Sequence, residues 1–187
     1  PEIKPFTSRQ PENEEPIYTE TKEGIFINNA GLILLHPFLP RFFEGIGIAE
    51  ESRILHPEKA LALLHFLTTG STKVPEYELV LPKVLCNIPL STPISSDIEI
   101  SVAETAEATA LLDAAIKHWE ALRNTSPDGL RETFLLRPGK LSLKTDGDWL
   151  LQVEPRTFDI LLDQLPWGIS MVKLPWMEKM IWVEWRG

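Results

Sequence analysis

Phe158-Asp-Ile-Leu-Leu-Asp-Gln-Leu165-Pro166-Trp167-Gly-Ile-Ser-Met-Val-Lys-Leu174-Pro175-Trp176-Met-Glu-Lys-Met-Ile-Trp182-Val-Glu-Trp185 is the stretch around which the rest of the chain is organised. It holds four of the six tryptophans, and Leu-Pro-Trp occurs in it twice. A buried tryptophan withdraws ~150–250 Å² of rigid surface from water, so this cluster anchors a core, a subunit interface, or both. Thr157 is placed to cap a helix with the stripe Phe158, Leu161, Leu162 and Leu165, which Pro166 ends. Residues 169–174 and 180–185 read as strands, with the two Leu-Pro-Trp units at the corners.

Immediately upstream the hydrophobic period is also two. Leu141 and Leu143 alternate with Ser142 and Lys144, and Trp149, Leu151 and Val153 alternate with Leu150, Gln152 and Glu154. Asp146-Gly147 between them signals a hairpin. Earlier still the period is helical. Ala108, Leu111, Leu112, Ala115, Trp119 and Leu122 recur at three- and four-residue steps, predicting a helix over 103–123. Ser126-Pro127-Asp128 opens a short helix with a capping hydroxyl and proline in the first turn. His56-Pro57-Glu58 opens another, apolar on most sides and stopped by Gly70. Residues 75–87 are helical with a break at Pro82, and 31–48 split into two pieces at Pro37 and Pro40. Residues 24–29 read as a short extended segment, an edge or lone strand stopped by the two asparagines and Gly31. The expected fold is α+β: a mainly helical first part packed on a small C-terminal antiparallel sheet of three to five strands.

A chain of 187 residues, 43% of them hydrophobic, is sufficient for one domain with a real core. Residues 1–23 carry Pro1, Pro5, Pro11 and Pro16 among polar and acidic neighbours and read as a linker; 24–187 read as a single domain, the C-terminal end of a longer protein. Twenty-seven acidic against 18 basic residues, a net charge of −9, disfavour a nucleic-acid partner, which demands clustered Lys and Arg. The single cysteine, Cys86, excludes an internal disulfide and a Cys-only zinc site and fits a reducing, cytoplasmic setting. No apolar run approaches the ~20 residues of a membrane span, so no insertion into a bilayer is expected.

The residues that carry chemistry are scattered. His36, His56, His65 and His118 fit no metal-ligand spacing, and no metal or cofactor is expected. The paired carboxylates Glu14-Glu15, Glu50-Glu51 and Asp97-Glu99 lie in polar segments that read as solvated faces rather than acid catalysts. Gly45-Ile46-Gly47 lacks the third glycine and preceding strand of a dinucleotide site. No catalytic residue is assigned, and the chain is not expected to be an enzyme. An enzymatic or small-ligand rival would need His36, His65, Arg131 or Glu132 to converge in one pocket. For a protein interface the candidates are Trp167, Trp176, Trp182 and Trp185, with Phe38, Phe42 and Phe43 as a second patch.

Four blocks then carry a resemblance: Asn28-Asn-Ala-Gly-Leu-Ile-Leu-Leu-His-Pro-Phe-Leu39, Glu76-Tyr-Glu-Leu-Val-Leu-Pro-Lys-Val-Leu-Cys86, Asn124-Thr-Ser-Pro-Asp-Gly-Leu-Arg-Glu-Thr-Phe-Leu135, and the tryptophan-rich stretch itself. Together they resemble the C-terminal region of the tape measure proteins of contractile injection systems, which are phage-tail-like machines. The likeness covers about 24–185, and Leu-Leu-Asp-x-Leu-Pro-Trp-Gly-Ile-Ser is its most specific part. Asn87 departs from the glycine expected after the cysteine, although asparagine tolerates the left-handed backbone of such a turn. The resemblance implies a structural role: an anchoring domain at the baseplate hub or spike of a protein whose upstream region sets tube and sheath length. It also implies hub, spike and tube proteins as partners and a trimer or hexamer matching the tail axis. An adaptor or chaperone-like domain of the same machine is the alternative. The site of work would be an injection particle assembled in the cytoplasm, then released or membrane-attached.

Overall fold

The computed structural model describes residues 22–95 and 97–185; most of the expected 1–23 linker therefore lies outside the described residues. The centre of the domain is Ala30–Phe38, a 3-10 helix whose first six residues are all buried. Runs of this kind longer than three or four residues are uncommon. Pro37 inside it removes the amide that an α-helix would aim at the Ile33 carbonyl. It leads directly into α1 (Leu39–Gly45), with Pro40 in the first turn.

Helix α2 (Pro57–Thr69) starts with proline and ends at Gly70 in the left-handed conformation, φ 75°. Ala60 to His65, Leu67 and Thr68 are buried, as the wide apolar surface implied. Helix α3 (Val80–Leu85) is preceded by a 3-10 turn, Glu76–Glu78. Asn87 follows it at φ 57°, the left-handed geometry that the turn after Cys86 requires. Helix α4 (Val102–His118) begins with a complete capping box: the Glu104 amide donates to the Ser101 hydroxyl, and the Ser101 amide donates to the Glu104 carboxylate. It is shorter than its periodicity predicts, because the chain leaves the α conformation at Trp119 and continues as a 3-10 turn, Glu120–Leu122. Helix α5 (Pro127–Leu130), capped by Ser126, runs on into one π turn, Arg131–Leu135.

Seven strands are present among the described residues. Five form one sheet in the order β1 (Ile25–Ile27), β4 (Gly139–Leu143), β5 (Trp149–Val153), β7 (Ile181–Glu184), β6 (Met171–Val172); the other two, β2 (Ala49–Glu50) and β3 (Arg53–Ile54), form a small hairpin. The Asp146-Gly147 hairpin joins β4 to β5 with Leu141 opposite Leu151. Leu141, Leu151, Val153, Val172 and Ile181 are buried on the inner face. Lys140, Gln152, Trp182 and Met171 alternate onto the outer one.

The α+β class holds, with two corrections. The sheet is mixed rather than antiparallel, because β7 runs parallel to β5, Leu150 opposite Trp182. Parallel neighbours need a crossover of a dozen or more residues, here the segment 154–180, which contains the expected helix, β6 and both Leu-Pro-Trp units. That helix is a 3-10 segment, Thr157–Gln164, and Thr157 is not its cap. The Asp159 carboxylate, from inside the first turn, accepts the Arg156 backbone amide at 2.8 Å instead.

Candidate interaction surface

Tryptophan is amphipathic, and a buried indole needs an acceptor for its N–H. Each indole of the terminal stretch has found one within the fold. Trp167 donates to the Leu34 carbonyl at 2.9 Å, and Phe38 meets its ring edge-on at 5.1 Å. One residue on, His36 donates from Nε2 to the Gly168 carbonyl at 2.7 Å. The first Leu-Pro-Trp corner is thus fastened to the central 3-10 helix. Trp176, at the second corner, is buried against Phe43 and donates to the Leu85 carbonyl at 2.6 Å, tying the β6–β7 connection to α3. Trp176→Phe would keep most of the ring but leave that carbonyl without its donor. We expect a loss of about 1–3 kcal/mol, measured as a lower denaturant midpoint at unchanged slope; an unaltered midpoint would show that the bond contributes nothing.

Trp185 donates to Asp159 Oδ2 at 3.0 Å, inside a buried polar knot. Arg137, 1% exposed, makes a two-pronged pair with Asp159: Nη1 to Oδ2 at 2.8 Å and Nη2 to Oδ1 at 2.9 Å. Its remaining donors reach the carbonyls of Glu154 and Thr133. Phe134, Phe158 and Trp185 present their rings to the guanidinium at 5.2–5.8 Å. Burial alone would push the Asp159 pKa up, but the donors from Arg137, Arg156 and Trp185 and the Arg137 charge outweigh it and hold the carboxyl below its ordinary range.

Trp182 differs from the other three. It is 38% exposed on the outer face of the sheet, its N–H held by Asp148 Oδ2 at 3.1 Å and its ring covered on one side by Lys144 Nζ, 4.9 Å from the centroid. Met171, opposite it on β6, is 54% exposed. The Trp182 N–H, with the Met180 amide, lowers the Asp148 pKa despite some desolvation. Of the seven aromatic candidates, Trp176, Trp185, Phe42 and Phe43 are buried in the core; Trp167 and Phe38 are half-buried against each other; Trp182 alone is exposed.

The family model described as contractile injection system tape measure protein matches residues 2–185. The chain belongs to the contractile injection system tape measure family. No curated protein and no solved structure matches it. The match spans the four sequence blocks, and each takes part in closing this fold: the first forms the central 3-10 helix, the second reaches the Leu85 carbonyl, the third forms the π turn, and the fourth supplies the indoles.

The four polar groups that an enzymatic pocket would have used do not converge. His36 is bonded to Gly168, and His65 is buried beside Glu78. Arg131 is buried under α2, where it donates to the Leu67 and Phe66 carbonyls, whereas its neighbour Glu132 is exposed. Burial raises the Cys86 thiol far above its ordinary pKa, leaving it a protonated apolar group. Among the described residues there is no cluster of three or more His, Cys, Asp or Glu able to hold a metal ion, and no helix long and apolar enough to cross a membrane. Sequence reasoning missed Arg137, Asp159 and Asp148. Arg137 stands between Leu136 and Pro138, and an arginine in an apolar run is the one local signal that could have marked a buried ion pair.

Proposed function

We propose that this domain is the fixed end of a tape measure. The folded head docks on the baseplate hub or spike, while a longer upstream region, joined through the Pro-rich residues before 24, lies along the tube lumen and sets the length to which tube and sheath polymerise. Family membership across residues 2–185 is the observation that carries this reading. The fold supports it physically: three of the four terminal indoles are committed to holding the helices and the sheet together, which makes a rigid head, and Trp182 is left facing outward. Tryptophan is among the residues enriched at the centres of protein interfaces, and a net charge of −9 favours a protein surface over a nucleic acid. A head on the tail axis must match the symmetry there, as a trimer or a hexamer. Assembly takes place in the cytoplasm before the particle is released or attached to a membrane.

The test is the full-length protein carrying Trp182→Ala and Met171→Ala in cells that make particles. Both side chains are largely outside the core, so the domain should melt within a few degrees of the parent. Particle number should fall, and the survivors should show a broadened length distribution by electron microscopy. Unchanged particle number and length would contradict the docking role of this face.

A further inference from the structure

We infer that the tape measure domain carries a receptor site for an arginine side chain of a protein partner, built by Phe26, Tyr77 and Glu78 beside the edge strand β1. Phe26 is 84% and Tyr77 80% exposed. They are the two most exposed aromatic rings among the exposed large hydrophobic residues, well above Phe158 at 39% and Trp182 at 38%. Both line one pocket of about 290 Å³, whose wall also holds Ile27, Thr69, Leu136 and Glu78. The backbone beneath the rings is anchored. Phe26 is held by pairing with Lys140 across β1 and β4, and the Asn29 side-chain amide donates to the Glu78 carbonyl at 2.9 Å.

The charge of Glu78 is what selects the occupant. Among the described residues, the one ionisable partner within 4 Å of its carboxylate is His65, whose Nδ1 lies 3.5 Å from Oε2. That nitrogen is buried and has no hydrogen-bond partner. Desolvation holds His65 below its ordinary pKa, against the pull of Glu78 and the Lys73 carbonyl, so near neutral pH the imidazole is uncharged. Among the described residues, no cationic side chain therefore pairs with the Glu78 carboxylate beside these two rings. A guanidinium is planar, weakly hydrated, able to stack on both rings and able to fork onto a carboxylate. An ammonium offers the charge without the plane. The site thus takes an exposed arginine on the surface of another protein. The inference rests on the chain working among protein partners, as its family does, and not on the baseplate as the anchor point.

The test is a nitrogen-15 NMR titration of the 187-residue chain with the capped peptide Gly-Arg-Gly and with its citrulline counterpart, which keeps the plane and loses the charge. The arginine peptide should give saturable shifts confined to the amides of 25–29 and 76–78, with a dissociation constant on the order of 1 mM. Citrulline should bind roughly tenfold more weakly. Glu78→Gln, Phe26→Ala and Tyr77→Ala should each weaken arginine binding by about threefold or more while leaving the rest of the spectrum unmoved. Equal binding of the two peptides, shifts that persist in the triple variant, or no localised shift overturns the site. Any of those results leaves the anchoring proposal standing, because that proposal is read from particles carrying the Trp182 and Met171 variants.

Discussion

Gly31→Ala is expected to be the most damaging single-methyl change in this domain. A Cβ at Gly31 would lie 1.6 Å from the Phe134 carbonyl oxygen, 2.6 Å from its carbon and 2.7 Å from Leu135 Cα. All three are backbone atoms, so no rotamer change relieves the clash. The π turn they belong to cannot retreat cheaply: Arg131 at its start is bonded to the end of α2, and Arg137 just beyond it is locked to Asp159. Overpacking usually costs ~1–3 kcal/mol. Here the obstacle is backbone on both sides, and the loss should exceed about 3 kcal/mol, a large share of the ~5–15 kcal/mol that keeps a domain folded. Thermal denaturation followed by circular dichroism gives the answer, with Gly45→Ala as control, since no atom lies within 4 Å of a Cβ there. A Gly31→Ala melting temperature within a few degrees of the parent would mean that Ala30–Phe38 and the π turn are not packed as described.

Asp159→Ala should be nearly as severe. It strands the Arg137 guanidinium in the core, together with the Trp185 N–H and the Arg156 amide. Breaking a buried pair from one side costs about 3–5 kcal/mol, because a charge remains buried without its partner. The pair also predicts an acid limb. The folded Asp159 pKa lies below the unfolded one, so its stabilisation is complete above about pH 4 and is lost as pH falls through the folded value. His36 and His65 act higher. Burial lowers both, so the unfolded chain takes up protons first and stability begins to decline once pH falls below about 6.5. Asp159→Ala should remove the lower step and leave the upper one. A lower step that persists in the variant would mean that the aspartate is not the group behind the acid limb.

Much of the fold was legible because its local signals agree with its tertiary packing. The period of two across β4 and β5, the Asp-Gly turn and the capped apolar helix α4 are short-range patterns, and the structure has them all. What was not legible is long-range. Nothing within the pattern of residues 180–185 says that the strand lies between β6 and a parallel β5, because alternation fixes the face of a strand and not its neighbours. Thr157 looked like a cap by residue type, yet Asp159 performs that task while accepting from Arg137, a residue 22 positions away. The tryptophan cluster shows the same division. Its weight in the sequence was plain, but which indoles are consumed by the fold depends on carbonyls at Leu34 and Leu85, from segments 91 or more residues distant. Composition could identify the four residues, whereas tertiary structure separates Trp182 from the other three.

We propose that the exposed sheet face around Trp182 sits on the baseplate. Replacing Trp182 with a photo-crosslinking phenylalanine analogue in the full-length protein, irradiating assembled particles and sequencing the adducts tests it most directly. Covalent products with the hub or spike protein are the expected result. Adducts confined to sheath or distal tube subunits, or none in particles that assemble normally, would contradict it.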